Sequence, residues 1–307
     1  MRLFFTFLLL FLVSNSYSQY RISSYLTKHR SSRHKNSSEK GALFFSWGFN
    51  RSWYTDSKIH FEGLGHDFDL SQVSARDNQS SKYTGNFYNP LDWTKTQYNI
   101  KAGYYYKNKW SITFALDHMK YQIKERDGVR LDGQVTFTAD NDVYFNKTKS
   151  FYHGSWLSVP IILDKDYFDY NMNAGMDFLH LEFAKTFEIY NYNTKRPLVI
   201  NAYPGVGLGL IMSSVSYLYD GQLNEKARSL SGYGASILGG FRIEFFRQFY
   251  FYSNVSFGLL HQVRASTRRE DDFSYAHHFF GYAQVDSGIG FLLYKRPKNG
   301  CDDCPIW

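Results

Sequence analysis

Trp110-Ser111-Ile112-Thr113-Phe114-Ala115-Leu116-Asp117 decides the fold. Trp110, Ile112, Phe114 and Leu116 are large and apolar, while the residues between them are small or polar. A strand points successive side chains to opposite faces, so this stretch builds one greasy wall and one wet wall. Working outward, comparable alternation recurs over residues 41–54, 95–107, 109–124, 172–189, 197–217, 228–246, 248–264 and 276–295. About nine to eleven residues suffice for a tilted strand to cross a bilayer, and each segment exceeds that. The expected fold class is all-β: a transmembrane antiparallel up-and-down β-barrel of about eight strands.

The connections carry the same message. Lys107-Asn108-Lys109, the segment from Asn191 to Pro197, and Phe246-Arg247-Gln248 are short. Residues 55–94, 125–171, 218–227 and 265–275 form the longer ones, and short and long alternate along the chain. That alternation predicts tight periplasmic turns, long extracellular loops and both termini on the periplasmic side. Lys58-Ile59-His60-Phe61-Glu62 and Gln134-Val135-Thr136-Phe137-Thr138 are strand-like pieces inside the two largest loops. They are short and flanked by Asp67, Asp69, Asp140 and Asp142, so they are expected to be external extensions. If they spanned instead, the barrel would have twelve strands.

Met1-Arg2, the apolar run Leu3 to Val13 and Ser16-Tyr17-Ser18 have the layout of a cleaved signal peptide over residues 1–18. The run is too short for a spanning helix, which needs about twenty residues. Residues 19–40 are basic and Ser-rich, with Arg21, Lys28, Arg30, Arg33, Lys35 and Lys40 against Glu39, and are expected to form a flexible periplasmic segment. Residues 41–296 would form the barrel and 297–307 a periplasmic tail. Formal net charge is +7, one unit of which leaves with Arg2. Behind a signal peptide the basic run reads as solvated chain near lipid headgroups, and nucleic acid is not an expected partner. Mean hydropathy is −0.44, yet 20% of residues are aromatic. Aromatic girdles at two membrane interfaces account for that pairing.

In the last segment, Asp286-Ser287-Gly288-Ile289-Gly290-Phe291-Leu292-Leu293 is similar to the closing-strand signal read by barrel-assembly machinery. Trp47-Gly48-Phe49-Asn50-Arg51, Ile59-His60-Phe61, Gln97-Tyr98-Asn99-Ile100, Leu116-Asp117-His118-Met119-Lys120-Tyr121 and the glycine-rich stretches 205–209 and 232–240 point further. Across most of the mature chain they resemble an uncharacterised Bacteroidota family of outer-membrane β-barrel proteins. The resemblance implies a fold and a location in the outer membrane of a Gram-negative cell. It supplies no catalytic site.

Strand phase places a set of ionisable side chains inside the barrel: Lys101, Asp117, Glu182, Arg242, Glu244 and Asp286. Counted from the periplasmic ends they fall at similar heights, with Asn50, Asn99, Asn201 and Gln284 between them. An eight-stranded lumen is just wide enough for side chains, so these residues are expected to form a polar plug. The expected role is structural or surface-interacting within the cell envelope; an outer-leaflet lipid-modifying enzyme and a small-solute channel are the alternatives. His153 and Ser155 are the only weak catalytic candidates, with no acidic partner placed by spacing. His118 and His261 phase outward near the upper rim, as headgroup contacts. His277 and His278 face opposite ways, and no metal set or cofactor motif is visible. Cys301-Asp302-Asp303-Cys304 is expected to close a local disulfide between Cys301 and Cys304, because the two aspartates disfavour a reactive thiolate. Outer-membrane lipids and the assembly machinery are the expected partners. An extracellular ligand could bind through loops 55–94 and 125–171; Tyr54, Phe61, Phe68, Tyr83, Phe87, Tyr88 and Trp93 belong to or border the first, where they could equally pack on one another to cap the barrel.

Overall fold

A computed structural model describes residues 40–63, 66–77, 97–124, 127–135, 154–166, 168–192, 198–219, 222–246, 248–269 and 273–294. In chain order the strands are β1 (Ala42–Tyr54), β2 (Ser57–Gly63), β3 (His66–Val73), β4 (Ala75–Arg76), β5 (Tyr98–Lys107), β6 (Trp110–Ile123) and β7 (Asp127–Val135). They continue as β8 (Gly154–Ile162), β9 (Asp169–Lys185), β10 (Phe187–Tyr192), β11 (Leu198–Tyr219), β12 (Gln222–Phe245), β13 (Phe249–Ser266) and β14 (Tyr275–Tyr294). Eight of them pair in the order β1-β5-β6-β9-β11-β12-β13-β14, and β14 returns to β1, so the sheet closes as an antiparallel barrel. Closure leaves the main ring no unpaired edge.

Local chemistry sets the turns at one end. Lys107 stands opposite Trp110, leaving Asn108 and Lys109 as a two-residue turn in which Lys109 takes φ 66°. Phe246 takes φ 51° in the link between β12 and β13. At the other end the wall climbs. β1 runs against β14 from Ala42–Tyr294 to Tyr54–Tyr282, and β2 resumes the same neighbour from Lys58–Phe279 to Glu62–Tyr275. The junction is stitched by Thr55, whose N–H donates to the Gly281 carbonyl at 3.0 Å and whose Oγ1 accepts from Gly281 N–H at 2.9 Å.

The neighbouring strands climb in the same way. β3 pairs with β2 and β7, while β4 pairs with β6 at Ala75–Ile123, so the two stand above β5. β7 follows β6 upward, and β8 pairs with β7 before the chain descends into β9. Lys58–Glu62, with Gln134 and Val135 of the second piece, therefore raise the eight-stranded wall, and among the described residues no spanning hairpin is added to it; residues 136–138 lie outside the described residues. β8 has only β7 as a strand partner among the described residues. Pro160, which lacks an N–H, and Ser158 at φ 52° blunt its outer edge.

One expected loop is not a loop. Residues 218–227 are mostly ladder, with Tyr219 opposite Gln222 and Val215 opposite Ala227. Outside a bilayer both strand faces can be polar, so Asn224, Glu225 and Lys226 hide a strand from a search for apolar alternation. The link between β13 and β14 is likewise shorter than expected, with Ser266 opposite Tyr275.

The outer face carries the apolar band. Phe249, Phe251, Val255, Phe257 and Leu259 are its outward side chains on β13, all well exposed. Ten residues at about 3.3 Å, tilted by about 40°, rise roughly 25 Å, the height of a barrel's lipid-facing belt. His261 marks its upper edge on that strand.

Candidate functional site: the charged belt in the lumen

The interior is stacked in three tiers, readable along β6 and β9. Ser111 and Thr113 lie lowest on the inner face of β6, Asp117 higher, then Met119 and Tyr121. On β9 the descending order is Tyr170, Phe178, His180, Glu182 and Ala184. Period two puts all of these on one face, so a vertical gradient from hydroxyl to charge to aromatic is written into each strand.

The middle tier is ionic. Lys101, Asp117, Glu182, Arg242, Glu244 and Asp286 all point inward and are buried. Lys101 Nζ lies 2.9 Å from Glu182 Oε1 and 3.6 Å from Asp286 Oδ2. Asn99 and Asn254 each donate an amide to Asp286 Oδ2, at 2.7 and 2.9 Å. Arg242 Nη2 meets Glu244 Oε1 at 2.6 Å, and Asn201 Nδ2 donates to the same oxygen at 2.7 Å. The Arg242 guanidinium also sits over the rings of Tyr105 and Tyr250, 5.6 and 5.3 Å from their centroids. The belt thus resolves into two groups, one around Lys101 and one around Arg242.

A seventh member, His180, was missed in the sequence although it shares the face of Glu182 two residues away. Its Nε2 lies 3.0 Å from Glu182 Oε1 and its Nδ1 3.3 Å from the Phe178 carbonyl oxygen. Both partners only accept, so a ring protonated at both nitrogens would satisfy both contacts. The Phe178 ring stacks on it at 4.4 Å, the first layer of the apolar tier. Asp117 Oδ2 is 3.9 Å from His180 Nε2, beyond hydrogen-bond length.

Glycine makes room for one connection. A Cβ at Gly48 would stand 2.4 Å from the Tyr252 hydroxyl, which passes there to donate to Asn99 Oδ1 at 2.8 Å. Below the belt a cavity of about 40 Å³ is lined by Ser46, Tyr105, Thr113, Thr186, Tyr203 and Tyr250, with Lys101, Glu182 and Arg242 at its head. Above the belt the lumen is filled by rings: Phe61 stacks on Tyr217 at 5.5 Å and meets Phe168 and Tyr170 edge-on at 5.4 and 5.2 Å. Phe61 and Phe68 of the first large loop belong to this core and are not exposed. Ionic and aromatic tiers thus follow one another along the lumen.

The outer rim holds two polar clusters. His118 does phase outward, yet it is buried: its Nδ1 lies 2.6 Å from Asp177 Oδ1 and its ring stacks on Tyr98 at 4.8 Å. Gly175, at φ 128°, leaves the space that this imidazole fills. Expecting a lone interfacial histidine was an error, because Asp177 stands directly across from it in register. His261 Nδ1 lies 3.0 Å from the Tyr233 hydroxyl, and its Nε2 is 2.8 Å from His277 Nε2. His278 points the opposite way, into the apolar tier beside Phe280 at 4.4 Å. Ser155 sits on β8 opposite Gln134, and His153, Cys301, Cys304 and residues 19–39 lie outside the described residues. Among the described residues no group of three or more His, Cys, Asp and Glu is arranged to hold a metal ion.

Outside the apolar band, in the link between β4 and β5, Asp77 takes the place of a missing ladder partner. It accepts the Ser52 N–H at 3.2 Å and an amide hydrogen of Gln97. Burial pushes its carboxyl up to about 6, against the pull of those two donors.

No protein-family model matches the chain, and no curated protein sequence matches it. Among solved structures it is similar to the outer membrane protein OprG from Pseudomonas aeruginosa, at 11% identity and a TM-score of 0.39, covering 84% of this chain and 99% of that one. The attachment invasion locus protein Ail of Yersinia pestis gives 11% identity and a TM-score of 0.33, over 83% and 99% of the two chains. For the outer membrane protein AlkL in lipid bilayers the values are 11% and 0.36, over 90% and 100%.

Proposed function

We propose that the chain is an outer-membrane β-barrel of a Gram-negative cell that conducts no solute and serves the envelope as a structural and surface-interacting protein. The observation that carries this reading is the pairing of an apolar outer band with a lumen filled by ions below and rings above. Lipid outside and a plug inside are both supplied by side chains of the strands themselves. The part left to meet a partner is the raised wall of β2, β3, β7 and β8. There Leu157 is 85% exposed and Ile162 59%, apolar groups offered to the exterior. Leu157→Cys in intact cells tests the placement: a membrane-impermeant maleimide should label it without permeabilisation. Labelling only after the outer membrane is breached would overturn the reading.

A lipid-acting enzyme of the outer leaflet is the second reading, and the His118–Asp177 pair is what favours it. Asp177 holds the Nδ1 hydrogen of His118, which leaves Nε2 as a base at the edge of the apolar band. Mass spectrometry of envelope lipids with wild type and His118→Ala decides it, since loss of an acyl chain that depends on His118 would replace the first reading.

A further inference from the structure

Charge in the belt does not balance. Lys101, Arg242 and His180, which is charged when both its ring nitrogens donate, face Asp117, Glu182, Glu244 and Asp286, so at most three cations meet four carboxylates in the belt. Three of the carboxylates have close donors. Glu182 has Lys101 and His180, Glu244 has Arg242 and Asn201, and Asp286 has Asn99 and Asn254 with Lys101 behind. Asp117 has none: its Oδ2 is 3.9 Å from His180 and its Oδ1 is buried without any hydrogen-bond partner, in a residue 4% exposed. The carboxylate without a close donor is therefore Asp117, beside His180 at the boundary where the belt meets Phe178 and the apolar tier. An isolated carboxylate in such surroundings is strongly disfavoured unless something positive joins it.

We propose that Asp117 Oδ1 is the binding site of one small monocation, a proton or an alkali ion, held between the ionic and aromatic tiers of the lumen. Every neighbouring element contributes to the setting. Lys101 of β5, His180 of β9, Tyr252 of β13, and Tyr282 and Asp286 of β14 face Asp117 electrostatically. The nearby cations are each committed to another carboxylate. A divalent ion would over-correct a single missing charge. The site closes the charge count without any further residue.

Folding is the readout, because a cation bound only by the folded barrel must stabilise it. Full-length wild type and Asp117→Asn are refolded into phospholipid vesicles and unfolded in urea from about pH 6 to about pH 9, in choline, sodium or potassium chloride at equal ionic strength. If the ligand is a proton, the folded state binds one more than the unfolded state. The wild-type folding constant, relative to Asp117→Asn, then falls by up to about tenfold per pH unit as pH rises, in all three salts. If it is an alkali ion, sodium or potassium raises the wild-type constant over choline, and the variant ignores the exchange. Parallel behaviour of the two proteins across pH and salt overturns the proposal. So does failure of Asp117→Asn to fold, because removing an uncompensated charge at constant shape is expected to stabilise. Infrared spectra of the wild type give an independent reading. A protonated-carboxyl C=O band absent from Asp117→Asn marks the proton, and wild-type spectra that lack this band and are insensitive to alkali ion contradict either form of the site.

Discussion

The two halves of the lumen solve the same problem in opposite ways. Both must fill the inside of an eight-stranded cylinder. The lower half does it with a charged belt over a hydroxyl-lined cavity, and the upper half with stacked Phe and Tyr rings. The difference follows from what each wall has outside it. Within the apolar band the outer face is greasy, so the inner face carries the polar half of the dyad pattern. Above the band the outer face can be wet, and the inner face turns apolar, as in a water-soluble sheet. The chain thus inverts its hydrophobic sense as it rises, with His118, Asp177 and His261 at the crossover.

Breaking each half gives effects of different kind. The largest is expected from Glu182→Ala, which strands Lys101 and His180 together without their shared carboxylate. Loss of one partner from a buried ion network costs about 3–5 kcal/mol, read as a lower urea midpoint of the barrel in vesicles. Phe61→Ala removes a ring touched by Phe68, Phe168, Tyr170 and Tyr217 and should cost about 3–4 kcal/mol by the cavity it leaves. A sharper contrast lies in salt. Substituting sodium for choline should change the Phe61→Ala barrel as it changes wild type, because the upper tier contains no part of the ionic belt.

Asp77 gives the next smaller effect, and its sign is fixed. Its carboxyl stands near 6 in the folded chain against about 4 when unfolded, so between those values the folded state holds more proton. Stability from this group is full below about pH 4 and falls as pH rises through about 6. Asp77→Asn should remove that slope and gain on the order of 1 kcal/mol at neutral pH, after allowance for partial exposure. Urea midpoints at acid and neutral pH check it. Smallest is Leu157→Ser, expected to leave stability within about 0.5 kcal/mol while removing the most exposed apolar side chain of the raised wall. A large loss there would mean that Leu157 is covered.

The sequence made the lower half legible because a bilayer imposes a strict code. Trp110, Ile112, Phe114 and Leu116 of β6, and Phe249, Phe251, Val255, Phe257 and Leu259 of β13 with Ser253 among them, read as a wall facing lipid, and the inward residues follow by parity. That parity also contained His180, two positions from Glu182, although nothing but its phase distinguished it from a surface histidine. The upper half was less legible. With water outside, β2, β3 and the tip of the β11–β12 hairpin lose the apolar half of the outer pattern, and Gln222-Leu223-Asn224-Glu225-Lys226 reads as loop. The Asp177 partner of His118 depended on register between strands fifty-odd residues apart, which alternation alone does not specify.

The central claim is that belt and rings together seal the cylinder. Single-channel recording in a planar bilayer tests it most directly: the refolded full-length barrel should insert and show no sustained conductance step. A steady open-pore current from inserted wild-type barrels would contradict it.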